Sequence, residues 1–331
     1  MKFLSKCWKP AIWITAAFVT TEVVLRLTFG LGNPVLSQAD TYTGYRFQPN
    51  QKLFRFGKRI EYNQYSQRSN AITKEKPKGT LRILMVGDSV LNGGNPTDQR
   101  QIITELLKNK IQETGHQVEV LNASAGSWGI GNRLGYLREF GTFQSDAVIL
   151  EIGTDDLPQP TSTSAPVGHD PSYPDHAPLL ATQEAFIRYF LPHFSVIFNS
   201  AKASNATNAI NTLSQSNQQF QQNMKLLKNT VELVRSEHIP IYILFSPNRS
   251  DLIPNFSTPN YKLKFLQVVN LLQVPIIDLH QAWSNQPVGT VTTYFRDNVH
   301  LNASGNEAAA SVLFQQLCIE EKFKTCSRTQ L

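Results

Sequence analysis

The stretch LRILMVGDSV, Leu81–Val90, contains the strongest structural signal in this chain. It is an apolar run that stops abruptly at Gly87-Asp88-Ser89. A short apolar run bounded by a turn signal predicts a buried strand, here one of a parallel sheet. A serine just past the carboxyl end of such a strand lies where open α/β sheets place their reactive groups. Ser89 is therefore a candidate nucleophile.

A second stretch, DNVH at Asp297–His300, offers an Asp and a His three residues apart, just before a predicted helix over Asn302–Leu317. A nucleophile, a base and a group that orients the base are the parts of a serine hydrolase. GDS alone is a common turn tripeptide, and Asp297 and His300 alone could cap the helix. The joint occurrence of the two stretches carries the prediction.

Two further segments lie between these ends. VEVLNASAGSWGIGN (Val118–Asn132) runs from an apolar strand into a glycine-rich turn, and AVILEIGTDDL (Ala147–Leu157) is another buried-strand pattern. In order, the chain has strand-GDS, strand-glycine turn, strand-GTDD and DxxH. It resembles the SGNH, or GDSL-like, hydrolase family, whose four sequence blocks occur in this order. The resemblance covers roughly Leu81 to Leu317.

The resemblance implies Ser89 as nucleophile, His300 as general base and Asp297 as the residue that holds the imidazole. The backbone N–H groups of Ser89 and Gly126 would form an oxyanion hole, in which fixed donors stabilise negative charge. The family fold is a three-layer α/β/α sandwich. Strands alternating with helical patterns predict the same architecture, with five parallel strands covered on both faces.

The third block departs from the family pattern. The family has an Asn side chain as third oxyanion donor in GxND, whereas this chain has GTDD, with Asp155 at that position. An ionised carboxylate only accepts hydrogen bonds and would repel an oxyanion. Asp155 is therefore either protonated in a dry site, turned away from the substrate, or the mark of a weak or specialised enzyme. Asp156 matches the family's own Asp and is expected to tie down the loop.

The N-terminus has three lysines, at positions 2, 6 and 9, before an apolar stretch that reaches Thr21. A basic region followed by an apolar one is typical of a signal peptide or signal anchor. A bilayer span is possible if Glu22 and Arg26 pair at helical spacing. We favour an uncleaved single-pass anchor that comprises residues 1–30, with the catalytic domain outside the cytoplasm. The alternatives are secretion after cleavage and a buried helix of a cytosolic protein.

Beyond the anchor, residues 31–79 are expected to pack on the core, with a hairpin turn near Gly57-Lys58. Residues 80–320 form the predicted hydrolase domain, and residues 321–331 a C-terminal tail. Cys318 and Cys326 are close enough to be bridged, and two unrelated thiols are the alternative.

An insertion over residues 158–215 follows the GTDD block. Its first half is rich in Pro, Ser and Thr, and an aromatic stretch follows. One hypothesis is a lid or acyl-pocket wall, in which Phe190 and Phe194 would bind substrate together with Phe186, Tyr189 and Phe198. The alternatives are a membrane-facing patch and an extra helix packed on the core.

The net charge of +6 is not concentrated in a basic stripe interleaved with aromatics, so we expect no nucleic-acid partner. No cofactor is implied, and the absence of Cys/His clusters at ligand spacing predicts no metal. The sequence thus predicts a membrane-anchored serine esterase acting on an ester-bearing small molecule, a lipid or an envelope polysaccharide. The alternatives are an O-acyltransferase acting on envelope polysaccharide and a catalytically silent glycan-binding scaffold.

Overall fold

The computed structural model describes residues 4–191 and 206–319. The strands are β1 (Ser37–Asp40), β2 (Gly44–Phe47), β3 (Gln51–Arg55), β4 (Lys58–Tyr62), β5 (Leu81–Gly87), β6 (Val118–Ser124), β7 (Ala147–Gly153), β8 (Ile241–Ser246) and β9 (Ile276–Asp278). The helices are α1 (Leu4–Phe29), α2 (Ser89–Asn92), α3 (Ile103–Glu113), α4 (Ile130–Phe140), α5 (Ala181–Glu184), α6 (Ala206–Ser236), α7 (Arg249–Leu252), α8 (Lys262–Leu271), α9 (Leu279–Trp283), α10 (Val288–Thr292) and α11 (Ala303–Ile319).

The central sheet has five parallel strands in the order β6-β5-β7-β8-β9, which confirms the predicted sheet. Successive side chains of β5 point to opposite faces. Leu84 and Val86 join a buried cluster with α4 and α6, whereas Ile83 and Met85 join a second cluster with α3 and α11. Helices therefore cover both faces, and the predicted α/β/α sandwich is confirmed.

The predicted helix boundaries differ most at α6. The apolar positions Phe220, Met224, Leu227, Val231 and Val234 predict a helix over Ser216–Ser236, but the helix begins at Ala206. The Asn, Ser and Thr residues at its start have weak helix propensity, which explains why the sequence pattern did not reveal these first turns. The first half of the insertion, residues 158–180, contains neither helix nor strand, as its Pro and Ser/Thr content predicts.

The predicted hairpin before the core is present as the antiparallel pair β3–β4. Its two-residue turn, Phe56-Gly57, has positive φ at both positions, 48° and 73°. A type I′ turn requires this backbone, and its twist matches that of the flanking strands.

The segment before the core also holds the loop that follows β6. Trp128 Nε1 donates to Tyr45 O at 2.8 Å, and Asn132 Nδ2 donates to Thr43 O at 2.8 Å. A Cβ at Gly135 would lie 2.0 Å from the carbonyl oxygen of Tyr42, so only glycine permits this approach. These contacts tie the N-terminal segment to the glycine-rich block of the sequence.

Near the N-terminus, the stretch Pro10–Phe29 of α1 is long and apolar enough to be a membrane anchor or a signal sequence. Almost all of it is exposed. At the other end of the chain, Cys318 takes part in a disulfide. The predicted C-terminal tail lies outside the described residues.

Candidate active site

Ser89 lies at the carboxyl edge of the sheet, as predicted, because β5 ends at Gly87 and α2 begins at Ser89. Asp88 Oδ1 accepts a hydrogen bond from Val90 N at 2.7 Å and so caps α2. A Cβ at position 87 would lie 2.6 Å from Glu151 Oε2. The GDS tripeptide therefore combines a close approach to β7, a helix cap and the candidate nucleophile.

The structure brings Ser89, His300 and Asp297 together into one hydrogen-bonded relay. His300 Nε2 lies 2.9 Å from Ser89 Oγ. On the other side of the ring, His300 Nδ1 lies 2.8 Å from Asp297 Oδ2 and 3.0 Å from Oδ1. With the proton on Nδ1, the ring donates to the carboxylate and accepts from the serine hydroxyl. This is the arrangement that activates a serine for nucleophilic attack.

The loop that holds the base is compact. Asp297 Oδ1 accepts hydrogen bonds from the backbone N–H groups of Val299 and His300, each at 2.8 Å. An isolated β-bridge between Phe295 and Leu301 closes the loop. Partial burial acts to raise the pKa of Asp297, but the two N–H groups and the imidazole outweigh it and lower this pKa to about 2. Asp297 is therefore ionised wherever the imidazole works as a base.

The backbone donors expected for the oxyanion hole lie on two neighbouring strand ends. Ser89 is the first residue of α2, where helix N–H groups have no partner within the helix. Gly126 follows β6, which pairs with β5. The Tyr45 hydroxyl donates to the carbonyl oxygen of Gly126 and so holds this peptide from the opposite side. Among the described residues, the Gly126 N–H meets no protein acceptor.

Asp155, which replaces the expected Asn, is exposed. The alternative that placed it in a dry site is therefore wrong. Asp155 Oδ1 accepts a hydrogen bond at 2.9 Å from Nδ2 of Asn248, a buried residue that follows β8. Because β7 and β8 are neighbours in the sheet, the residues after them meet at one edge. Sequence reasoning missed Asn248, although an Asn just past a predicted strand was a visible signal.

A cleft of about 830 Å³ opens beside Asp155 and Asn248. It runs between the first turns of α6 and the loop before α8. Polar side chains line part of it: Thr154, Ser216, Asn217, Thr258, Asn260 and Lys264. Apolar side chains contribute the larger part of the lining, among them Pro158, Leu213, Pro259, Tyr261 and Leu263.

A buried group of charged side chains lies directly below Ser89. The carboxylates of Asp88, Glu151 and Asp156 have oxygen atoms within 4.8 Å of one another. Arg133 on α4 donates to Asp156 Oδ2 at 2.6 Å and lies 3.9 Å from Glu151 Oε2. Ser246 Oγ donates to Glu151 Oε1 at 2.7 Å. We call Asp88, Arg133, Glu151 and Asp156 the buried charge cluster.

Burial and mutual repulsion raise the pKa values of the acids in this cluster. Burial, followed by the charge of Glu151, raises the pKa of Asp88 well above its usual range. Burial raises the pKa of Asp156 to about 7 even though Arg133 pulls it down. By spacing alone the carboxylates could hold a metal ion, but the Arg133 guanidinium already supplies a positive charge there. Asp156 also accepts from Gly153 N at 2.7 Å and ties down the loop, as expected.

His280 is not part of the relay. It is buried, with Nδ1 2.8 Å from Lys262 Nζ, and its ring stacks on Phe256 at 4.2 Å. Lys262 in turn pairs with Asp278 at 2.7 Å. Burial, together with the Lys262 charge, lowers the pKa of His280. The sequence showed no partner for this histidine because its partners are distant in sequence.

The aromatic residues expected to bind substrate lie in a different region. Phe190 ends a π-helical turn and packs against Phe186 at 5.8 Å. Tyr189 of the same turn contacts Phe56 of the β3–β4 hairpin at 5.6 Å. Phe194 lies outside the described residues. The contacts of this segment include the hairpin, and the lid, the membrane-facing patch and the packed extra helix all stay predictions.

The relay, the sheet and the order of the blocks agree with the comparison to known families. The model of the GDSL-like Lipase/Acylhydrolase family matches residues 85–308. The chain belongs to this family. Its members are hydrolases, and the matched residues include Ser89, Gly126 and His300.

Solved structures with a similar fold include "Crystal Structure of TesA", at 14% identity and a TM-score of 0.42, covering 72% of this chain and 98% of that one. An acetyl xylan esterase, AlAXEase, is 14% identical with a TM-score of 0.44, covering 71% and 99%. A lipase/acylhydrolase from Enterococcus faecalis is 16% identical with a TM-score of 0.42, covering 72% and 95%. No curated protein sequence matches the chain.

Proposed function

We propose that this hydrolase is a membrane-anchored serine esterase that acts outside the cytoplasm. The observation that carries the proposal is the relay from Asp297 through His300 to Ser89 Oγ, with heavy-atom distances of 2.8 and 2.9 Å. Such a relay serves acyl transfer. Carboxylic esters are the acyl compounds whose cleavage needs the least catalytic assistance beyond this relay.

The chemistry follows from the positions of these atoms. Ser89 Oγ attacks the ester carbonyl carbon while His300 Nε2 takes the hydroxyl proton. The N–H groups of Ser89 and Gly126 stabilise the oxyanion. His300 then returns the proton to the leaving alkoxide, which departs as an alcohol and leaves an acyl group on Ser89. Water, deprotonated by His300, then attacks the acyl carbon, and His300 returns this proton to Ser89 Oγ as the acid leaves. A sugar hydroxyl in place of water would make the same site an acyltransferase.

The cleft beside Asp155 supports a substrate with both polar and apolar parts. Its hydroxyl, amide and ammonium groups can hydrogen-bond the hydroxyls of a saccharide, and its apolar side chains can pack against a sugar ring or an acyl chain, so the cleft fits an ester on envelope polysaccharide and a lipid equally. Helix α1 supports anchoring, since Pro10–Phe29 is apolar and exposed. The lysines before it favour a cytoplasmic N-terminus and a catalytic domain on the other side.

The test is hydrolysis of p-nitrophenyl acetate by the full chain in detergent, beside Ser89→Ala. The matched control is Ser236→Ala, which removes an exposed hydroxyl at the end of α6. We expect turnover and fluorophosphonate labelling to vanish in Ser89→Ala and to persist in Ser236→Ala. Equal turnover in all three proteins would refute serine chemistry and favour the glycan-binding scaffold. Product appearing as an acetylated sugar when a saccharide is added would favour the transferase.

A further inference from the structure

Helix α1 is clamped to the rest of the molecule rather than tethered to it. The Glu22 carboxylate accepts hydrogen bonds from the backbone N–H groups of Ala181 and Thr182, at 2.7 and 3.0 Å. Arg26 pairs with Glu22 at 2.7 Å and donates to the carbonyl oxygen of Leu179, also at 2.7 Å. The last turns of α1 therefore lie along the start of α5.

A second clamp joins the end of α1 to the β3–β4 hairpin. Phe56 N donates to Phe29 O at 3.0 Å, which satisfies a carbonyl at the helix terminus. Arg55 donates to the carbonyl oxygen of Gly30 at 2.8 Å and forms a fully buried ion pair with Glu184. The first clamp is partly exposed and the second is fully buried, and the two together fix α1 relative to the domain.

Exposed apolar side chains surround these clamps. Phe29 contacts Phe56 at 6.2 Å between ring centroids, and Phe56 contacts Tyr189 at 5.6 Å. The exposed large side chains of this region are Phe29, Phe54, Phe56, Leu179, Phe186, Phe190 and Leu191, which we call the α1-side surface. Leu179 is 88% exposed and Phe54 57%. Exposed apolar side chains gathered in one patch mark an interaction site.

The level of this surface along α1 agrees with the dimensions of a bilayer. The apolar span Pro10–Phe29 has 20 residues and is about 30 Å long at 1.5 Å per residue, which matches the ~30 Å hydrocarbon core. Its last residue, Phe29, therefore lies at the boundary between acyl chains and headgroups, and Glu22 and Arg26 lie in its last two turns, paired with each other. The α1-side surface begins at Phe29 and so reaches the same level.

Charged groups at the edge of the surface fit lipid headgroups. Arg59 pairs with Phe54 across the hairpin. Lys52, two positions before Phe54, lies on the same exposed face. Arg59 also lies 3.8 Å from Glu61, so its charge is partly shared. Basic side chains beside exposed aromatic rings are typical of surfaces that rest on anionic membranes.

We propose that the α1-side surface lies in the headgroup boundary of the bilayer that α1 crosses, with lipid acyl chains against its aromatic rings. This inference rests on the anchoring part of the proposed function and goes beyond it. The domain would be held on the membrane in one orientation, rather than connected to the anchor by a flexible linker. The partner is lipid, because the surface continues directly from an exposed helix of membrane-spanning length.

The test places the photoreactive residue p-benzoylphenylalanine at single positions of the full chain in nanodiscs of anionic phospholipid. The test positions are Phe54 and Phe186. Leu271 is the matched control, since it is 82% exposed and lies at the end of α8. Trp13, within the apolar stretch of α1, reports whether the helix is embedded. Lipid adducts are identified by mass spectrometry.

We expect lipid adducts at Trp13, Phe54 and Phe186, at least tenfold more abundant than at Leu271. Adducts at Trp13 alone would overturn this inference and leave the anchor intact. Adducts at none of the positions would overturn anchoring, and with it this inference. The result of the esterase assay would be unaffected. Protein–protein adducts at Phe54 and Phe186 would instead identify a second copy of the chain as the partner and would also overturn the proposal.

Discussion

The carboxylates on the two sides of Ser89 occupy opposite environments. Below it, the acids of the buried charge cluster are shielded from water and share one guanidinium. Above it, Asp297 retains 48% exposure of its side chain and accepts backbone and imidazole hydrogen bonds. Burial raises the pKa of Asp156 to about 7, whereas hydrogen bonds lower that of Asp297 to about 2.

This contrast separates two tasks that carboxylates perform in the site. Environments that push pKa values apart identify different roles for chemically similar groups. Asp297 stays charged and can stabilise an imidazolium on His300. The buried charge cluster fixes the backbone around Ser89 through Asp88, which caps α2, and Glu151, which accepts from Asp88 N at 3.3 Å. We therefore expect substitutions above Ser89 to change rate and substitutions below it to change stability.

The largest expected effect is on rate, in Asp297→Asn. The amide would favour the wrong tautomer of His300, and the analogous change in a well-studied serine protease costs about 10⁴-fold in kcat. We expect a comparable fall in p-nitrophenyl acetate turnover, with a melting temperature within a few degrees of the unsubstituted protein. A loss of less than tenfold would mean that Asp297 does not orient the base.

The next effect is on stability, in Arg133→Met. This change removes the guanidinium and leaves three buried carboxylates without a cation. Removing one partner of a buried ion pair costs about 3–5 kcal/mol. We expect this loss in thermal or denaturant unfolding of the full chain in detergent. Adding Asp156→Asn to Arg133→Met should recover part of the lost stability. An Arg133→Met variant as stable as the unsubstituted protein would contradict the role assigned to Arg133.

The contrast also explains what could be predicted from the sequence. Ser89, Asp297 and His300 belong to local patterns, each set by where a strand ends or a helix begins, so their meeting followed from the parallel sheet. Glu151 lies within an otherwise apolar strand, whereas Arg133 lies within a helix that also contains Arg138 and Glu139. A charged residue in such a strand signals a buried partner, but the identity of that partner depends on side-chain packing across layers. The Arg55–Glu184 pair spans 129 positions and has no local signature.

The buried charge cluster should also give stability a specific pH dependence. The pKa of Asp156 is raised above its value in the unfolded chain, so the folded state keeps this proton while the unfolded state loses it. Stability should therefore fall as pH rises from about 4 to about 7, by at most a few kcal/mol, since a tenfold change in proton affinity is worth about 1.4 kcal/mol. In Asp156→Asn, melting temperatures measured across this range should fall less with pH. An unchanged slope would show that Asp156 does not hold the proton.

A smaller effect on rate is expected on the oxyanion side, in Asp155→Asn. An amide would restore a donor where the family has one, and a single donor is worth about 10²–10³-fold at most. Asp155 is exposed and already bonded to Asn248, so we expect a gain nearer tenfold. The companion variant Asn248→Ala should lower turnover if its amide restrains Asp155. Unchanged or lower turnover in Asp155→Asn would show that the carboxylate does not handicap the hole.

The smallest expected effect is the contribution of Asp297 to the stability of the folded state at acidic pH. Because its pKa is lowered to about 2, this group stabilises the folded state above about pH 4, and the contribution is lost as pH falls toward 2. The side chain is half exposed, so solvent screening limits the contribution to about 1 kcal/mol or less. Melting curves of Asp297→Asn and the unsubstituted protein should therefore converge below pH 3 and separate slightly above pH 4. If the two melting curves are equally separated at all pH values, the hydrogen bonds to Asp297, rather than its charge, cause the difference in stability. The two sides of Ser89 would then differ in packing alone.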